Sequence, residues 1–158
     1  MGDDSLLQYI QPKKDNKVPV RSAKKYAERY SDKENAPYEL ILQTLWEDFT
    51  KYMYETILGN LPRSERGNYG KDLRDLIWKT ERLIIRLALQ HGINLRILDD
   101  IDMNAKVILR MLTLGTEICI NKEKQIMLIP AKRREVISGM LVKIGNTIGG
   151  LKKSKNAF

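Results

Sequence analysis

The sequence predicts an all-α fold: an up-down four-helix bundle with a basic N-terminal extension. Three observations carry that prediction. Apolar residues recur every three or four positions through four stretches of about 20 residues each. Short polar links separate the stretches, which favours antiparallel neighbours. The chain has 158 residues, 42% of them hydrophobic and 30% charged, which is material for one domain around one core. Residues 1–36 read as the extension and residues 37–155 as the bundle domain.

Apolar residues are sparse and aperiodic in the extension. From Lys13 to Lys33 it carries eight cations against three acids. Lys13, Lys14, Lys17, Arg21, Lys24 and Lys25 are its candidate phosphate contacts, and Tyr26 and Tyr30 at i, i+4 can stack on bases. The plainer alternative is a solvated tail with a short helix near Ser22 to Tyr30.

Pro37 suits a first helical turn, so the first long helix is expected from there to about Asn60. Tyr38, Leu42, Leu45, Phe49, Tyr52 and Thr56 form its apolar face, widened by Ile41, Trp46, Met53 and Ile57. A face that broad needs two neighbours or a subunit interface. Residues 61–70, with Pro62, Gly67 and Gly70, read as a loop. The second helix is expected from Lys71 to about Gln90, with Leu73, Leu76, Ile77, Thr80, Leu83, Ile84, Leu87 and Ala88 inward. Its outer face carries Lys71, Arg74, Lys79, Arg82 and Arg86, diluted by Asp72, Asp75 and Glu81. His91 and Gly92 suit its C-terminal cap.

Asn94 is the expected N-cap of a third helix reaching about Asn121. Its apolar positions are Leu98, Ile101, Ala105, Ile108, Leu112, Gly115 and Cys119. Asp99, Asp100 and Asp102 complement the positive helix end. With no His or Cys near them, a dipole role outweighs a metal site, and no metal or cofactor is expected. Asn121 to Gln125 reads as a charged loop and Ile126 to Pro130 as a short extended or end-packed segment.

The last helix, Lys132 to Lys155, organises the rest. Ile137, Met140, Leu141, Ile144, Ile148 and Leu151 form one apolar face. Lys132, Arg133 and Arg134 open it, and Lys152, Lys153 and Lys155 close it. Gly139, Gly145, Gly149 and Gly150 interrupt it, each at a cost of about 1 kcal/mol against alanine. Such glycines are expected where another backbone or a ligand comes close. Gly145, Gly149 and Gly150, with Trp46, are therefore the expected tight-packing or subunit-interface residues.

The 28 Lys+Arg against 20 Asp+Glu give a net charge of +8, which favours a polyanionic partner. A lone cysteine, Cys119, forms no intrachain disulfide. No apolar run approaches a membrane span: Leu83 to Leu89 is broken by Arg86. The start Met1-Gly2-Asp3-Asp4 lacks the charge and apolar stretch of a signal peptide, and Leu6 breaks the myristoylation pattern. A cytoplasmic location and no membrane partner are expected. The chain has no nucleophile–base set, no CxxC or HExxH, no Glu-x-x-His pair and no GxxxxGK[ST] loop. It is read as a non-enzyme with no small-molecule substrate.

Particular residues carry a family resemblance. Leu61-Pro62-Arg63 leads through a glycine-containing loop into an amphipathic basic helix. Ile144-Gly145 is followed by Ile148-Gly149-Gly150-Leu151 and then lysines. Over about residues 38–153 the chain resembles the accessory variability determinant (Avd) proteins of diversity-generating retroelements. These fall within the four-helix bundle family that includes proteins encoded in ribosomal RNA intervening sequences. Where that pattern commonly has an acid before the Ile-Gly and Trp after the Gly-Gly, this chain has Lys143 and Leu151.

The resemblance implies a homopentameric barrel of four-helix protomers with a basic surface and no catalysis of its own. It implies binding to a reverse transcriptase and to template RNA or RNA/cDNA, in support of mutagenic reverse transcription. Lys132, Arg133, Arg134, Lys143, Lys152, Lys153 and Lys155 are the expected phosphate contacts, with Arg63 and Arg74 as further candidates. The structural alternatives are that Arg63 caps helix carbonyls and that Arg74 pairs with surface acids. A stand-alone intervening-sequence-type bundle, binding RNA or a protein without a polymerase, is the alternative function.

Overall fold

The computed structural model describes residues 36–90 and 93–156. These are mostly helical. The first helix, α1 (Ala36–Tyr52), continues into a π turn (Met53–Ile57) and a 3-10 turn (Leu58–Asn60), so helical backbone ends at the expected Asn60. In the π turn the Leu58 N–H reaches both Met53 O and Tyr54 O. Leu42, Trp46, Phe49 and Met53 are fully buried. Trp46 stacks at a tilt on Phe49, ring centroids 4.8 Å apart, and its indole N–H donates to Ile77 O at 3.4 Å.

Residues 61–70 are not a loop throughout. Pro62 O accepts from the N–H groups of Glu65 and Arg66 at 2.9 and 3.2 Å, closing a one-turn helix, α2 (Arg63–Arg66). Proline is preset for such a turn. α3 (Tyr69–Leu89) follows, starting two residues before the expected Lys71. It buries Leu73, Ile77, Thr80, Ile84 and Leu87. His91 and Gly92 lie outside the described residues.

The Asn94 side chain accepts from Ile97 N–H at 3.1 Å and caps α4 (Leu95–Gly115). This helix stops six residues short of the expected Asn121. The cause is Gly115. A Cβ there would lie 2.4 Å from the Ile129 side chain and 2.8 Å from the Tyr69 hydroxyl, so the helix end is where two other segments press in. Ile129 N–H bonds to Gly115 O at 3.1 Å, and Leu128 N–H to Ile118 O at 2.7 Å. The chain then forms a small antiparallel hairpin of β1 (Cys119–Asn121) and β2 (Ile126–Met127). Cys119 is thus a half-buried strand residue rather than a helix-core one.

The last helix, α5 (Ala131–Asn156), starts where Pro130 O accepts from Arg133 and Arg134 N–H. All six of its expected apolar positions are buried. α1 packs against α3 and α5, and α4 packs against the same two. The broad face of α1 thereby meets two neighbours, and one continuous core lies between the four long helices.

Gly145 and Gly149 of α5 depart from expectation within the chain. A Cβ added at Gly145 or Gly149 would meet nothing within 4 Å. Gly145 instead lines an open groove of about 290 Å³ between α4 and α5, beside the exposed Val142. Trp46 is fully buried in the core and is absent from the surface that another subunit would touch.

Candidate nucleic-acid interface

The expected phosphate contacts do not form one cluster. Lys132 and Lys152 stand 20 residues apart on one helix, roughly 30 Å along its axis. Lys132, Arg133 and Arg134 lie at the hairpin end and Lys152, Lys153 and Lys155 at the other. Half-buried Lys143 lies between them. The arm cations Lys13, Lys14, Lys17, Arg21, Lys24 and Lys25 lie outside the described residues.

The hairpin end is the richer one. Arg133 shares a cleft of about 280 Å³ with Asn60, Ile120 and Ile126, which sets it between the end of the first helical segment and the hairpin. Lys132 is exposed beside it. The hairpin loop adds exposed Lys122 and Lys124. Asn121 shapes that loop by accepting from Lys124 N–H at 3.0 Å, and Gln125 takes the left-handed conformation at φ 55. Asparagine side chains favour such turns because they replace a backbone acceptor. Arg63 is exposed on α2, three residues beyond Asn60.

Arg134 belongs less to this surface. Its Nε donates to the Thr113 hydroxyl at 3.2 Å and ties α5 to α4. In the Leu61–Arg66 turn it is Arg66, not Arg63, that caps a carbonyl: its Nε donates to Leu61 O at 3.0 Å. Arg74 folds back over the start of α3, its guanidinium 3.4 Å from where a Gly70 Cβ would sit. The acid beside it, Asp75, pairs with Lys71 at 2.9 Å. That carboxylate holds the Lys71 ammonium above its usual pKa, so it stays charged.

At the far end Lys152 pairs with Asp99 at 2.5 Å, while Lys153 is exposed. The Lys155 side chain lies outside the described set. Asp102 pairs with Lys106 at 2.9 Å, so two of the three acids in the first turns of α4 are matched by lysines. Among the described residues, no group of three or more His, Cys, Asp or Glu is placed to hold a metal ion. None of their helices is long and apolar enough to cross a membrane.

Two features go beyond the sequence expectations. Trp78 and Tyr54 are exposed and hydrogen-bonded to each other, the indole N–H donating to the Tyr54 hydroxyl at 2.8 Å. The sequence signals the exposure of Trp78 alone, which sits midway between Arg74 and Arg82 on the outer face of α3; nothing in it signals the pairing with Tyr54. The second is Asp48, buried on α1 with Oδ2 lacking a hydrogen-bond partner. Burial pushes its pKa from 3.8 up to about 7; Lys51 opposes the rise and Glu47 adds to it. Burial, with Glu47 nearby, also raises Glu81 across the α1–α3 groove.

Set against family models, curated proteins and solved structures, the chain matches none of them.

Proposed function

We propose that this chain is a non-enzymatic accessory subunit that binds nucleic acid and a reverse transcriptase, supporting mutagenic copying of template RNA into cDNA in a diversity-generating retroelement. In this reading the four long helices form an up-down bundle, and the bundles assemble as a homopentamer. The observation that carries it is the convergence of Lys122, Lys124, Lys132, Arg133 and Arg63 at one end of the fold, from the hairpin, α5 and α2. Repetition of that end around a ring would give a continuous cationic rim. The open groove at Gly145 and the exposed Val142 support a subunit contact on the α4–α5 side. The family motifs at Leu61-Pro62-Arg63 and Ile148-Gly149-Gly150 support the retroelement assignment.

Mechanistically the subunit would act by charge and placement. Each phosphate neutralised by a lysine or arginine releases counterions, so affinity falls steeply with salt. A rim of such cations would hold template RNA or an RNA/cDNA hybrid near a polymerase without reading sequence.

The test reverses Lys122, Lys124 and Arg133 to glutamate and measures RNA affinity across a salt series. We expect affinity to drop, with the slope of log K against log salt flattening by roughly 0.7–0.9 for each phosphate no longer neutralised. Arg134→Gln, by contrast, should lower the melting temperature by breaking the bond to Thr113 and leave the slope nearly unchanged. Unchanged RNA affinity in the triple variant would move the interface off the hairpin end.

A further inference from the structure

The strongest unassigned feature is the aromatic shelf on the α1–α3 side. Tyr54 projects from the π turn that follows α1, and Trp78 from the middle of α3. They are 38% and 47% exposed, with ring centroids 6.4 Å apart at 58°. The hydrogen bond between them fixes both rings in place. Rigid, exposed aromatic faces lose little entropy when a flat ligand lands on them. π turns recur at functional sites, and here the π turn carries one of the two rings.

The surroundings define the ligand. Beside Trp78 runs a cleft of about 430 Å³ lined by Gln43, Glu47, Thr50, Lys51, Glu81 and Ile85, with Glu47 and Lys51 paired at 3.2 Å. That volume lies in the range of small-molecule sites. Its polar lining offers donors and acceptors at the level of a ring edge. On the outer side stand exposed Lys79 and Arg82, for which no ion pair is present among the described residues. Helical side chains slant toward the N-terminus, so Arg82, one turn beyond Trp78, leans over the turn that carries it. A flat ring, polar groups at its edge and cations outside together match one chemistry: a nucleobase with its phosphate.

We propose that the Tyr54–Trp78 shelf binds an unpaired nucleotide of single-stranded nucleic acid, the base stacked on Trp78 with its edge toward the Gln43–Glu81 cleft and the phosphates on Lys79 and Arg82. The proposal rests on the nucleic-acid reading above and narrows it. Alongside the cationic end, which takes any backbone, this site takes only strands whose bases are free to splay out. A base within a duplex has its faces covered and cannot reach the shelf.

Trp46 is fully buried, so exposed-tryptophan emission reports Trp78. The full chain is titrated with a short oligouridine, the matching oligodeoxythymidine and an RNA duplex, at about 50 mM salt where phosphate contacts are strong. Oligonucleotide anisotropy and tryptophan emission are followed together. Both single strands should quench the emission and the duplex should not. Trp78→Ala should weaken single-strand binding roughly 5- to 150-fold, the worth of one stacked base, and change duplex binding by less than about twofold. Trp78→Phe keeps a stacking face and should retain most of the affinity. It also controls for a folding defect, with circular dichroism of both variants. A matching oligodeoxyuridine differs from oligouridine at the 2′ position alone: tighter oligouridine binding assigns the 2′-hydroxyl to the cleft, and equal binding assigns base and phosphate alone.

Single strands that bind without quenching, and equally well to Trp78→Ala, overturn the shelf but leave the cationic end standing. A chain that binds neither single strand nor duplex overturns both readings. A blue shift of the emission as protein concentration rises without oligonucleotide means that a second copy or another protein face covers the shelf, and it too overturns the proposal.

Discussion

Asp48→Asn gives a direct reading of the α1 interior. Asp48 is 6% exposed, one of its carboxylate oxygens lacks a partner, and its pKa is pushed from 3.8 to about 7. At 1.36 kcal/mol for each pH unit, that displacement sets a ceiling of about 4 kcal/mol on the cost of charging it in the folded state. Residual screening by solvent brings the expected value to roughly 2–3 kcal/mol. The sign follows from proton counting. Between pH 3.8 and about 7 the folded chain holds a proton that the unfolded chain has released, so stability falls as pH rises through this window. Above about 7 both states are charged and the cost is constant. Asn keeps the shape without the charge. Any cost of a buried amide is the same at both pH values and cancels in the comparison. Urea unfolding of wild type and variant at pH 4.5 and pH 8 tests this. About 1 kcal/mol of that cost has already appeared by pH 4.5, so the variant should gain on wild type by roughly 1–2 kcal/mol between the two. Glu81, raised by burial and by Glu47, leaves a smaller decline of the same sign in the variant. A stability gap between wild type and variant that is equal at both pH values would refute the assignment of a buried, charge-averse Asp48.

Two glycine substitutions should act in opposite directions. Gly115→Ala drives a methyl into Ile129 and Tyr69 and should cost about 1–3 kcal/mol in thermal or urea unfolding. A neutral result would mean that the Ile129 segment yields easily. Gly145→Ala meets open space and should stabilise the isolated protomer fold by up to about 1 kcal/mol. If the α4–α5 groove is a subunit contact, the same change should weaken assembly, which sedimentation at several concentrations would read.

The helices are legible in the sequence because a single physical rule governs them. Leu73, Ile77, Ile84 and Leu87 follow the helical period and are buried, and Asn94 caps where its side chain has a backbone donor to satisfy. The hairpin is not legible for an equally specific reason. Ile118 and Cys119 extend the apolar pattern of α4, and Asn121 to Gln125 has no glycine or proline to announce a turn. Gly115, which stops the helix, reads as a small core position until Ile129 and Tyr69 are seen pressing on it. The cations are legible as charge and not as a site. Sequence order sets Lys132 beside Arg134, whereas folding turns Arg134 inward to Thr113 and brings Arg133 to the hairpin. The Tyr54–Trp78 pair joins residues 24 positions apart, and no local pattern links them.

The measurement that bears most directly on the accessory-subunit account is the solution mass of the purified chain, by light scattering at high salt and again at low salt with RNA added. A particle of about five chains that takes up RNA at low salt is the predicted result. A monomer whose mass is unchanged by RNA contradicts the account at both of its central points, assembly and nucleic-acid binding.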